Sequence, residues 1–416
     1  MENILDDLQY RGLIQQYSDE EKVREILSSP TTVYCGFDPS ASSMHLGNFV
    51  MISLLMRFQK AGHRVVALVG GGTGMIGDPS GKSKERNLQD AATLAHNTQC
   101  LKDQLSRFLD FSDPNKGIMV DNADWLTKMN VIEFLRDYGK YFPINYMLSK
   151  EIVASRLESG ISFTEFSYQI LQSLDFYKLH HEHGVAIQLG GNDQWGNLTS
   201  GLELIRKLDG DSEKVAVMTC HLITRSDGKK FGKSEKGALF LDKNLTSPYF
   251  MYQYLVNTTD EDCIKYLKVF TFLSKDEIED VARGHFASPG ARIGQKKLAY
   301  EVVAEIFGKE EAEAAVSMTN ALFSGNVKGL SEAQIEETLG SLKVHLEGEL
   351  LLEDLLIKLG IATSKRDART LITGNSISLN GDKVTDLTKK VSKEDALYGR
   401  YLIVRKGKKQ YSLGEF

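Results

Sequence analysis

Five short apolar runs rich in Val, Ile and Leu constrain the fold of this chain most tightly: Thr31–Phe37, Arg64–Gly70, Gly117–Val120, Val185–Leu189 and Val215–Met218. They read as buried strands. Helical patterns lie between them, for example at Phe49–Ala61 and Ala91–Leu109, with apolar residues three and four apart. Such alternation predicts an α/β, Rossmann-like parallel sheet with helices on both faces. Ligands of such sheets bind at the carboxyl ends of the strands. The segments Tyr34–Asp38 and Gly70–Asp78 fall at such ends.

The chain has 416 residues, more than a single core accommodates. From about 245 to 320 the strand-like runs stop and helical patterns take over, which predicts an all-helical domain. Residues 320–350 are polar and carry Gly325, Gly329, Gly340 and Gly348, so they read as a connector. In the last stretch Ser364 is placed to cap a helix Lys365–Ile372, which Gly374-Asn375 would stop. Asn380-Gly381 then joins the runs Ser376–Leu379 and Lys383–Thr385 as a hairpin. The expected division is 1–220, a Rossmann-like domain; 221–320, a loop and helical domain; 321–349, a linker; and 350–416, a small α+β domain.

Composition excludes several classes. The longest apolar stretches, such as Val65–Val69, are far shorter than the roughly 20 residues that cross a bilayer, so no membrane partner is expected. The acidic start Met1–Asp7 lacks the basic-then-apolar layout of a secretory signal, and a cytoplasmic location is expected. Cys35, Cys100, Cys220 and Cys263 form no C-x-x-C pair, which argues against a disulfide framework or a zinc site. Of the net charge of −6, residues 350–416 contribute +5 (13 Lys and Arg against 8 Asp and Glu), leaving −11 for residues 1–349. A basic tail on an acidic body suggests a module that meets a polyanion.

Gly72-Thr73-Gly74-Met75-Ile76-Gly77 satisfies G-x-G-x-x-G after a strand. In a dinucleotide site the last glycine lies within a helix, whereas here the turn sequence Asp78-Pro79-Ser80-Gly81 follows at once. Gly81-Lys82-Ser83 hints at a phosphate-binding loop, but Ile76 stands where that motif requires glycine. His180-His181-Glu182-His183 offers metal-ligating side chains, but neighbours on a helix point in different directions, so no protein-bound metal is expected.

Two further signatures lie nearly two hundred residues apart. Pro39-Ser40-Ala41-Ser42-Ser43-Met44-His45-Leu46-Gly47-Asn48 follows the first strand and opens a helix, where unpaired N–H groups favour anions. Lys230-Phe231-Gly232-Lys233-Ser234 follows the last sheet strand. In this order and spacing they resemble the two nucleotide-binding signatures of class I aminoacyl-tRNA synthetases, usually His-Ile-Gly-His and Lys-Met-Ser-Lys-Ser. Leu46 and Asn48 depart from the first form, and Asn48 keeps a hydrogen-bond donor. Lys230–Ser234 looks like the form common in the tyrosyl branch.

The resemblance covers essentially the whole chain and implies the following. ATP would be held by Cys35, Gly36, His45, Gly47, Asn48, Gly191, Asp193, Lys230 and Lys233, with Mg2+ accompanying it. His45, Asn48, Ser40, Lys82, Arg86, Lys230, Lys233 and Ser234 would assist adenylate formation. Tyr168, Gln172 and Asp175 recur at i, i+4 and i+7 on one helix face; the resemblance makes that face the tyrosine pocket. Tyr168 and Gln172, together with Asp78, would meet the substrate ammonium, and Asp175 and Tyr34 its phenol. Asp38, Gln188 and Gln194 complete the pocket. Residues 350–416 resemble the S4 RNA-binding module, making Lys365, Arg366, Arg369, Arg405, Lys406, Lys408 and Lys409 candidate tRNA contacts, with Arg206 and Lys207 at the acceptor end. The partners implied are L-tyrosine, ATP, the cognate tRNA and a second copy of the chain. A tryptophan-specific relative and an RNA-binding splicing or regulatory factor on a synthetase scaffold are the alternatives.

Overall fold

All five apolar runs are strands of one six-stranded sheet in the computed structural model. Residues 3–80, 88–158, 160–210, 214–228, 231–234, 237–407 and 410–416 are described. The strands are β1 (Ile14–Tyr17), β2 (Thr32–Phe37), β3 (Arg64–Val69), β4 (Gly117–Asp121), β5 (Val185–Gly191) and β6 (Ala216–Cys220). They lie in the order β1-β6-β5-β2-β3-β4, parallel from β2 to β6, with β1 antiparallel on the edge. From β2 the order runs one way to β3 and β4, and from β5 the other way to β6. The crevice between the carboxyl ends of β2 and β5 is therefore the switch point at which such sheets bind ligands. No sequence signal marked β1; its half-exposed Ile-Gln-Gln-Tyr has no continuous apolar run because it sits on an edge.

The helices Phe163–His183 and Trp195–Asp209 bury Phe176, Leu179, Leu198 and Ile205 against Tyr34, Val66, Val185 and Val217 of the sheet. Helix Leu46–Lys60 packs on β2 and β3 and also against helix Asp260–Phe270. Covered on two sides, it is apolar nearly all round, with Phe49, Ile52, Leu54, Leu55 and Phe58 buried.

Two units are distinguished: residues 1–245 with 259–294, and residues 246–258 with 295–416. The helices expected to form one domain over 221–320 are thus shared between the two units. The segment 321–349, read from sequence as a linker, is structured instead. It carries the helix Glu332–Leu339 and the strand Lys343–His345, which pairs in parallel with Gln410–Glu415. Ile335 and Leu339 are buried with Met318, Tyr401, Ile403 and Leu413. Gly325 and Gly348, both at positive φ, punctuate short elements here and do not loosen a connector. Strand Tyr401–Lys406 alternates between two cores: Tyr401 and Ile403 face this one, and Leu402 and Val404 face Leu352, Leu355, Ala368 and Ile372. The predicted helix and hairpin of the tail are present as Lys365–Thr373 and as Ile377–Leu379 paired with Asp382–Lys383. Among the described residues no helix is long and apolar enough to cross a membrane.

Candidate active site

The two signatures meet in space. His45 caps helix Leu46–Lys60: its Nδ1 accepts from the Asn48 amide (3.2 Å), while Asn48 Oδ1 accepts from the His45 amide (3.1 Å). A neutral imidazole accepting at Nδ1 carries its proton on Nε2, so the ring is a donor there. Gly47 leaves that ring its space, since a Cβ would stand 2.9 Å from His45 Cε1. The Leu46 amide donates to Leu239 (2.7 Å), and the Leu239 amide to the Gly232 carbonyl (2.9 Å). Gly232 has φ +77°, and a Cβ there would lie 3.3 Å from the Gly47 nitrogen. For Lys233 and Ser234 the backbone alone is described, as the first strand of a short hairpin. Lys82, Arg86, Lys230, Lys408 and Lys409 lie outside the described residues. Ser40 is exposed, and its carbonyl accepts from Gln89 Nε2.

Beneath these groups a buried polar chain links four elements. Tyr168 donates to Asp38 Oδ2 (2.8 Å), and Thr73 Oγ1 donates to Asp38 Oδ1 (2.8 Å). Asn122 Nδ2 reaches Thr73 Oγ1 (3.0 Å) and Asp175 Oδ2 (2.9 Å), and Trp125 Nε1 donates to Asp175 Oδ1 (2.9 Å). Burial pushes the Asp175 carboxyl up to about 8 despite the donors from Asn122 and Trp125. Burial also raises the phenols of Tyr34 and Tyr168 well above their usual range, helped by Asp175 and Asp38 respectively. The Tyr34 hydroxyl, Gln172 Oε1 and Gln188 Oε1 are buried with no hydrogen-bond partner among the described residues. Tyr34 and Gln188 are register partners on β2 and β5. Each such atom costs about 1–3 kcal/mol unless a ligand satisfies it.

Thr73, Asn122 and Trp125 were missed by the sequence reading. Thr73 sits in the glycine loop at the carboxyl end of β3, and Asn122 and Trp125 sit in Asp121–Trp125 at the carboxyl end of β4, the strand-end position already favoured for β2 and β3.

A second cluster lies at the end of β5. Gln194 Nε2 donates to Asp78 Oδ2 (2.6 Å), and Asn197 Nδ2 contacts Asp78 Oδ1 (3.4 Å) and Gln194 Oε1 (3.1 Å). At Gly191 a Cβ would come within 2.7 Å of Asp193 Oδ1, so glycine keeps the carboxylate in place. Gly36 is the one exposed position of β2, leaving backbone open to a ligand. Its neighbour Cys35 is buried, its Sγ 3.7 Å from the Gly36 carbonyl, and burial drives its thiol far up.

Several candidate RNA contacts are engaged within the chain. Arg206 is paired with Glu203 (2.6 Å), and Lys207 donates to the Tyr141 carbonyl (2.9 Å). Lys365 pairs with Asp354 (2.9 Å), Arg369 with Glu353 (2.6 Å), and Lys406 donates to the Ile361 carbonyl (3.1 Å). Arg405 lies 3.4 Å from the Tyr411 hydroxyl, and Arg366 is exposed. The side chains of Arg206, Lys365 and Arg369 are each about half exposed, so a phosphate can compete for them.

Residues 27–324 match the model of the tRNA synthetases class I (W and Y), and 333–414 that of the tyrosine--tRNA ligase SYY-like C-terminal domain. Tyrosine--tRNA ligase 1 of Bacillus licheniformis is 50% identical over 99% of both chains, and that of Bacillus subtilis is 49% identical with the same coverage. The C-terminally truncated mitochondrial tyrosyl-tRNA synthetase of Aspergillus nidulans superposes with a TM-score of 0.71 at 30% identity, covering 78% of this chain and 95% of that one. The tryptophanyl-tRNA synthetase of Encephalitozoon cuniculi shares the fold at 16% identity, with a TM-score of 0.54 over 74% of this chain and 87% of that one. The chain belongs to the tyrosine branch of the class I aminoacyl-tRNA synthetases.

Proposed function

We propose that this chain is a tyrosine–tRNA ligase. It activates L-tyrosine with ATP to tyrosyl-adenylate and pyrophosphate, then passes the tyrosyl group to the 3′ end of its tRNA, releasing AMP. The observation that carries the reading is the floor of the β2–β5 crevice. There the buried Asp175 carboxyl, held by Asn122 and Trp125, and the Tyr34 hydroxyl, buried with no hydrogen-bond partner among the described residues, are chemically matched to a phenol. A phenyl ring offers neither donor nor acceptor, and an indole N–H donates but cannot accept, so neither can both donate to Asp175 and accept from Tyr34 as a phenol hydroxyl can.

Adenylate formation is an in-line attack of the tyrosine carboxylate on the α-phosphorus, so the protein need supply no nucleophile. It positions the reactants and stabilises the charge that builds on phosphate oxygens. Asp78, Tyr168 and Gln172 hold the substrate ammonium; Asp38 and Gln188 shape that pocket, and Gln194 orients the carboxylate. His45 offers its Nε2 proton beside the helix N-terminus, with Ser40 and Asn48 nearby. Asp193 and the backbone of Gly36, Gly47 and Gly191 hold the nucleotide. Lys82, Arg86, Lys230, Lys233 and Ser234 stabilise the departing pyrophosphate, and Mg2+ accompanies ATP. Arg366 and its basic neighbours meet tRNA phosphates.

The protein acts in the cytoplasm as a homodimer. Supporting the dimer, Val131, Ile132, Leu135, Ile144 and Phe163, all between residues 131 and 163, are 50–71% exposed, large apolar side chains of the kind a second copy covers. Sedimentation velocity should give twice the 46.4 kDa chain mass. For the activity itself, purified protein given unfractionated tRNA, ATP and labelled tyrosine should form acid-precipitable tyrosyl-tRNA and AMP. Failure to charge any tRNA would sink the proposal.

A further inference from the structure

Helix Asp260–Phe270 touches none of the substrates assigned above, yet it grips the segment that leads into the second signature. Asp262, Tyr266 and Phe270 recur every four residues on one face and are all buried. Asp262 accepts from the Ser226 amide (3.0 Å to Oδ2, 3.1 Å to Oδ1), the Ser226 hydroxyl (3.0 Å) and the Thr259 hydroxyl (3.2 Å). Tyr266 donates its hydroxyl to the Thr224 carbonyl (3.2 Å). The Phe231 ring lies 4.4 Å from Tyr266 and stacks on Phe270 at 4.8 Å. The residue after it is Gly232, whose carbonyl is tied through Leu239 to Leu46.

The other end of the same helix is anchored to the first signature's helix. Arg57, three turns beyond His45, donates to the Thr271 carbonyl (2.5 Å) and the Val269 carbonyl (3.4 Å). Arg11 donates to Lys268 (3.0 Å), Thr271 (3.1 Å) and Leu273 (2.7 Å). Both guanidiniums are buried against the last-turn carbonyls, where a helix favours cations, and both face Asp7. A short rigid element is thereby fixed to one signature and holds the other.

We propose that Asp262 is a positioning residue for adenylate formation, acting through Ser226 and, by way of its helix, through Phe231 to set the register of the Phe231–Ser234 segment against Gly47. The proposal rests on the ligase reading above. Asp262→Asn keeps the shape but removes the carboxylate that accepts from the amide and both hydroxyls.

The test is ATP–pyrophosphate exchange by the full-length chain. For Asp262→Asn the maximal exchange rate should fall roughly 10- to 100-fold, up to the loss that about 1 Å of misplacement causes. The tyrosine dissociation constant should stay within about twofold, and transfer from supplied tyrosyl-adenylate to tRNA should be unchanged. Ser226→Ala, which deletes one of these bonds from the loop side, should move the rate in the same direction by less. In the background of Lys233→Ala, Asp262→Asn should cost no further rate, because both act through one segment. Equal loss of tyrosine binding and rate, or full additivity with Lys233→Ala, would overturn the proposal, as would an unchanged rate. A parent protein with no tyrosine-dependent exchange would instead refute the ligase reading, so the two failures are distinguishable.

Discussion

At Asp175 two opposing effects meet. Burial favours the neutral carboxyl, while the donors from Asn122 and Trp125 favour the carboxylate; burial wins, and the group titrates at about 8. The native pKa is raised above that of the unfolded chain, near 4, so the folded protein binds the proton more tightly. The stabilisation is whole below about pH 4, declines as pH rises, and is gone above about 8. Stability of the ligand-free protein relative to Asp175→Asn should therefore fall by about 1.4 kcal/mol per pH unit between 5.5 and 7.5, as read by urea unfolding. A flat difference would contradict the burial argument. Tyr34→Phe should separate folding from function: losing a buried hydroxyl that has no partner among the described residues raises stability by about 1 kcal/mol. It should also lower kcat/KM for tyrosine roughly 3- to 10-fold by removing one hydrogen bond. Tyr34 and Asp175 became candidates through the family resemblance, since a polar stripe at i, i+4 and i+7 does not by itself say which helix face is buried. Asn122 was not legible, since its partner Asp175 is 53 residues away and only the sheet order brings them together.

Elements were legible where local chemistry and tertiary environment agree. The strands β2, β3, β5 and β6 are largely buried on both faces and announce themselves as apolar runs, β4 keeps its apolar run although it is only partly buried at the sheet's other edge, and Ser364 caps helix Lys365–Thr373 by accepting from the Asp367 amide. The edge strand β1 gave no such signal, and the short elements within 321–349 were masked by their glycines and polar residues. The meeting of the signatures is a property of elements: a helix start, a hairpin, and the glycines that let them touch. Gly232→Ala should cost about 1–2 kcal/mol for its left-handed backbone and crowd the Gly47 nitrogen. Exchange should fall at least tenfold with tyrosine binding intact; equal activity would mean the contact at Gly47 is not needed.

Over the whole molecule, charge is divided as the sequence suggests, with a basic tail on an acidic body. Several tail cations are paired with neighbouring acids, which no charge count reveals, so Arg366 is the best single probe. Arg366→Glu should raise KM for tRNA severalfold and make charging more salt-sensitive, with tyrosine-dependent exchange unchanged. Equal charging by this variant would remove the Lys365–Thr373 helix from the RNA interface. The domain plan was less legible than the fold, because chain segments distant in sequence, such as 246–258 and 295–416, share one unit.

The central claim is that the β2–β5 crevice is an adenylating site built for a phenol. Its most direct test is ATP–pyrophosphate exchange without tRNA, with tyrosine, phenylalanine and tryptophan supplied separately. Exchange with tyrosine alone is the predicted result. Exchange supported equally by tryptophan or phenylalanine, or by none of the three, would contradict it.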